Sequence, residues 1–279
     1  MFAGGRAAEV GGFLRDSLAV ADAGNDAAAS LTILNEMIGY FRSISAHADA
    51  IAASERAVAE TETPALRNSA ARGTTLLNAA TAHKAAGFPE RALSLYVEAL
   101  SVYEKALPPG DSRLAGLYNN ISSLHETLGN HEDALELLQK SAAVLAGKEN
   151  ADIETATVDT NIALVLFKLG RESEAQRALD KALAIFERMR GKEGARPSHY
   201  ASALAALGEA YFTTRRYAEA AAIYEKALEE LLFHYGENQD YATTCRNYAV
   251  VLDALGRGGE AEERRKTAER VFNALKSQK

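Results

Sequence analysis

Asn78, Asn120, Asn161 and Asn247 stand on one ruler in this chain, with a period of roughly 42 residues and one place skipped before the last. Each sits inside an apolar pattern of helical period, where asparagine is a mediocre choice. An amide presents donor and acceptor together, so a row of them can pair with both polar groups of an extended peptide backbone. The same amides could instead bond a neighbouring helix, and spacing alone does not separate ligand contact from internal scaffolding. Glu36 and Ala206 occupy the two remaining places in the column. One turn earlier come Thr74, Thr157, Ser202 and Thr243, with Asn119, Ser123, Thr127, Lys168, Glu209 and Arg246 alongside. This lining is mostly neutral and polar. The expected peptide-contacting set is Asn78, Asn119, Asn120, Ser123, Asn161, Lys168, Glu209, Thr243, Arg246 and Asn247.

Other reactive residue types carry less. His83 and His125 keep the same interval as Asn78 and Asn120, but no HExxH pattern or acidic pair accompanies them, so they read as buried rings and no metal is expected. His47 and His131 hold the place at the start of a helix, and His199 and His234 lie near linkers. Ser122 and His125 share one helix, yet Ser122 falls at a packing position. Cys245 lacks a local histidine and acid to make it a thiolate nucleophile. GRGGEAE (256–262) is glycine-rich but lacks the Lys-Ser/Thr of a phosphate loop and follows no strand. EERRK (262–266) reads as a solvated helix face with internal ion pairs. The residues point to no enzyme and no cofactor.

Composition narrows the class further. The chain has 279 residues, 47% apolar and 25% charged, with a net charge of -7. An acidic balance disfavours phosphate backbones, so no nucleic-acid partner is expected. Cys245 is the only cysteine, which excludes an internal disulfide and fits a reducing compartment. Glu9 and Asp16 interrupt the N-terminal stretch where a signal peptide would be apolar. No run of about 18 apolar residues offers a membrane span. A cytoplasmic protein is expected, and nothing indicates its oligomeric state.

The elements that must position the asparagines are paired helices. Leu117, Ile121, Leu124 and Leu128 form one stripe, and Ala134, Leu138, Ser141 and Leu145 a second. Between them Gly129 supplies a left-handed helix end and Asn130 a cap. The pair recurs. Ala50, Ala92, Ala134, Ala175, Ala220 and Ala261 follow one another at near-constant intervals, the longest separating Ala175 from Ala220. Seven residues after each comes Ala57, Ala99, Ser141, Ala182, Ala227 or Ala268, and twelve before lies Ile38, Ala80, Ser122, Ala163, Gly208 or Ala249. Nine before stand Phe41, His83, His125, Leu166, Tyr211 and Leu252, a wedge of rings and leucines. Gly87, Gly129, Gly170 and Gly256 mark the turn, with Ser45 and Arg215 as exceptions. Breaks fall at Thr61–Pro64, Pro108–Asp111, Gly147–Ala151, Gly191–Pro197 and Gly236–Gln239, all short and turn-rich.

This pattern resembles the tetratricopeptide repeat family. The best single match is LGEAYFTTRRYAEAAAIYEKAL, with Gly208, Tyr211, Tyr217, Ala220, Tyr224 and Ala227 in register. The long period, and YGENQDYATTCRNYAVVLDALG (235–256), look like the kinesin-light-chain subgroup. The resemblance implies an all-α fold, a right-handed α-solenoid of about six helix pairs plus an N-terminal helix. One domain over 1–279 is expected, with repeats at 31–64, 73–108, 115–148, 156–191, 201–235 and 242–276 and a lone helix at 5–23. Arg265 stands where earlier repeats carry Tyr96, Leu138, Leu179 and Tyr224, which is expected of a capping helix. The resemblance also implies a peptide or protein partner held through the asparagine column. Only Lys168 and Arg246 could grip a terminal carboxylate, so a carboxylate clamp is not expected. A non-catalytic interaction scaffold is the leading expectation. A regulatory sensor whose superhelix tightens on a signalling peptide is the alternative.

Overall fold

The computed structural model describes residues 4–189 and 197–276. Among the described residues there are thirteen α-helices and no strand. A lone α1 (Gly4–Ala23) precedes the pairs α2 (Ala27–Ser43) and α3 (His47–Glu60), and α4 (Ala70–Ala85) and α5 (Pro89–Ala106), with α6 (Ser112–Thr127) and α7 (His131–Leu145) next in the chain. The pairs α8 (Asp152–Lys168) and α9 (Glu172–Met189), α10 (Pro197–Thr213) and α11 (Tyr217–Tyr235), and α12 (Gln239–Ala254) and α13 (Gly258–Lys276) follow. This is an all-α repeat solenoid. The break expected at Gly191–Pro197 falls almost wholly outside the described residues. Packing divides the chain into two compact units, one ending at Gly129 and one starting at Asn130. The boundary lies within the pair that the sequence presents most clearly.

Close approach of paired helices explains the small-residue ruler. Ala50, Ala92, Ala134, Ala175, Ala220 and Ala261 are all fully buried, as are Ala57, Ala99, Ser141, Ala182 and Ala227. A methyl group added at Gly208 would stand 2.8 Å from the Tyr224 ring, the contact that demands a small residue there. Leu117, Ile121 and Leu124 are buried as their spacing predicts, but Leu128 is 40% exposed because its helix has already ended. Asn130 occupies the cap position of α7 without a side-chain capping bond.

A second pair of columns, not evident from the first ruler, runs through every repeat but the first, where Leu31 and Thr61 stand instead. Nineteen residues before the reference alanines lie Gly73, Ala115, Ala156, Ala201 and Ala242; eleven after them lie Tyr103, Leu145, Phe186, Leu231 and Phe272. A methyl group on Gly73 would meet the Tyr103 ring at 2.3 Å. Ala156 and Phe186 share one buried cluster of the C-terminal unit. Small-against-large packing thus recurs at both ends of the pair.

The turns between paired helices keep one geometry whatever residue they contain. Ser45 and Arg215 take φ of 60°, beside Gly87 at 84°, Gly170 at 72° and Gly256 at 73°. A left-handed residue with a side chain costs roughly 1–2 kcal/mol. The amide that follows it offsets this by bonding back to the wedge column, from Ala46 to the Phe41 carbonyl at 2.8 Å and from Arg216 to Tyr211 at 2.8 Å. Phe88 to His83, Arg171 to Leu166 and Arg257 to Leu252 repeat the bond, the signature of a Schellman helix end.

Candidate functional site

The first helix of each pair carries the asparagine column, and each unit presents its own stretch of it. In the N-terminal unit α2 and α4 are stitched by amides. Asn78 Nδ2 donates to Asn35 Oδ1 at 2.8 Å, and Asn35 Nδ2 donates to Thr75 Oγ1 at 3.0 Å and to the Leu31 carbonyl at 2.9 Å. The residue that meets Asn78 is therefore Asn35, one place off the ruler, while Glu36 points to solvent. Farther along, Lys84 Nζ donates to Ser123 Oγ at 2.8 Å and joins α4 to α6. Burial holds the Lys84 ammonium below its usual range, with Glu126 pulling the other way. Asn119 and Asn120 are half-buried on α6. The structure thus brings Asn78 and Ser123 into inter-helix bonds and leaves Asn120 part-open on the same run of helices.

In the C-terminal unit Asn161 and Asn247 are half-buried on α8 and α12, and Lys168 and Glu209 are exposed on α8 and α10. Arg246 is exposed, and its guanidinium lies 5.8 Å from the centre of the Phe272 ring on α13. Thr243 donates to the Gln239 carbonyl at 2.9 Å. Thr74 and Thr157 make the same bond four residues back, to Ala70 at 3.1 Å and Ile153 at 2.8 Å. A threonine that spends its hydrogen on its own helix keeps acceptor lone pairs for an outside N–H. Thr74 also meets the Tyr103 hydroxyl at 2.9 Å, so it serves the core as well.

Two contributors were missed in the sequence, Asn35 and Lys84. Lys84 had a signal: Arg42, Lys84 and Glu126 occupy one column of three successive repeats, charged where helix interiors are otherwise apolar. Asn35 had none, because the first repeat breaks the small-residue rule at Ile38.

The other reactive groups are enclosed. Cys245 is fully buried, and burial pushes its thiol up, away from the nucleophilic thiolate. Ser122 is buried and donates to the Asn119 carbonyl at 2.7 Å. Among the described residues no group of three His, Cys, Asp or Glu side chains gathers to hold a metal ion, and no helix is long and apolar enough to cross a membrane.

Comparison with known proteins agrees with this architecture. The tetratricopeptide repeat model matches residues 71–146 and 154–229. Protein KINESIN LIGHT CHAIN-RELATED 3 of Arabidopsis thaliana is 24% identical over 247 residues, which is 87% of this chain and 37% of that protein. The chain therefore spans little more than a third of that curated relative. The crystal structure of BtubC (BKLC) from P. vanneervenii superposes with a TM-score of 0.61 at 23% identity, covering 87% of this chain and 92% of that one. The apo form of RapI gives a TM-score of 0.68 at 11% identity over 96% and 99% of the two chains, a likeness of fold alone. With its family model spanning just over half the chain and its repeats of kinesin-light-chain-like character, the protein belongs to the tetratricopeptide repeat family.

Proposed function

We propose that this chain is a non-catalytic interaction scaffold that holds an extended segment of a protein partner along the first helices of its pairs. The observation that carries this reading is the Asn78–Asn35 bond at 2.8 Å. Polar side chains of adjacent first helices in the N-terminal unit lie edge to edge there, so a peptide crossing them meets one amide after another. An amide has capacity for up to four hydrogen bonds, so a bond between helices still leaves room for a ligand. The column then serves both as stitching and as a backbone reader.

The test begins with selection of a phage-displayed random peptide library on the immobilised full chain. Asn120→Ala should weaken peptides that bind the N-terminal stretch, and Asn161→Ala those that bind the C-terminal stretch, by about 5–10-fold, the worth of one hydrogen bond near 1 kcal/mol. Neither change should alter helix content. Asn78→Ala should instead lower stability, because Asn35 Oδ1 loses the donor it takes from α4. Unchanged affinity in both Asn120→Ala and Asn161→Ala removes this reading of the asparagine column.

A further inference from the structure

We draw no further inference here: the strongest candidate, the acidic hollow of about 260 Å³ lined by Asp22, Asp26, Ser30 and Glu60 where α1, α2 and α3 meet, is a carboxylate cluster in which Asp22 and Glu60 are already engaged by Ser30 and Arg56, and nothing in the structure points to a ligand there.

Discussion

Gly73→Ala should lower the stability of the N-terminal unit by about 1–3 kcal/mol, the usual cost of overfilling a packed site. Helix propensity argues the other way, because alanine in place of a helical glycine contributes about 1 kcal/mol. Packing wins here for a geometric reason. The new methyl would stand 2.3 Å from two atoms of the Tyr103 ring. That ring cannot step aside: it is 2% exposed, and its hydroxyl is bonded to Thr74 Oγ1 at 2.9 Å. Gly116 on α6 is the control, since nothing lies within 4 Å of a methyl placed there. Gly116→Ala should therefore be stabilising, by up to about 1 kcal/mol. Urea midpoints report both signs, and hydrogen exchange in α4 and α5 localises the Gly73 effect. Adding Tyr103→Leu to Gly73→Ala should recover most of the loss, because alanine against leucine is the pairing these columns already use at Ala201 and Leu231, two members of one buried cluster. A stabilised Gly73→Ala protein would show that α4 and α5 can separate at no cost, contrary to their packing.

What the sequence made legible follows from which physical demands leave a mark on residue type. Close approach of two helices leaves one, because only a small side chain fits; hence Ala50 through Ala261 recur along the sequence at a near-constant interval. The left-handed turn leaves an incomplete mark. Glycine fits it best, but Ser45 and Arg215 adopt it because the bond back to the wedge column holds them there. Asn25, at φ 53° between α1 and α2, is another such residue, and nothing in its neighbourhood announced it. Polar contacts between repeats leave least. Asn78 finds Asn35 rather than the residue on the ruler, and Lys84 is drawn inward onto Ser123 although a lysine on a helix reads as solvent-facing. Hydrogen-bond partners are set by angstrom-scale rotation of one helix against another, so the charged column of Arg42, Lys84 and Glu126 marks Lys84 without naming Ser123. The division into two compact units is equally invisible, because the repeat spacing runs through Gly129 and Asn130 without a change.

Tyr248 should prove the most sensitive tyrosine of the C-terminal unit, and the protein should become unstable in alkali partly through it. Its side chain is 1% exposed, stacks on Tyr224 with 6.1 Å between ring centres, and donates to Glu225 Oε1 at 2.8 Å. Tyr248→Ala removes a large, fully enclosed ring and should cost about 3–5 kcal/mol. Burial, reinforced by the Glu225 carboxylate, pushes the Tyr248 hydroxyl up to about 12, and Tyr200, bonded to Glu187, is likewise pushed up to about 12. A folded-state value above the ordinary 10 means that the fold favours the protonated phenol. That contribution is complete below pH 10 and is lost as pH rises from there through 12. Tyr248→Phe separates ring from hydroxyl. At pH 7 it should lose only about 1 kcal/mol, the hydrogen bond, because the exposed Glu225 returns to water. Above pH 10 the gap should close and then reverse, since phenylalanine has no proton to lose. Urea midpoints of the two proteins at pH 7, 10 and 11.5 show whether the curves cross. Parallel curves would mean that Tyr248 ionises no more readily when the chain unfolds, and the buried phenol would then have no part in alkaline unfolding.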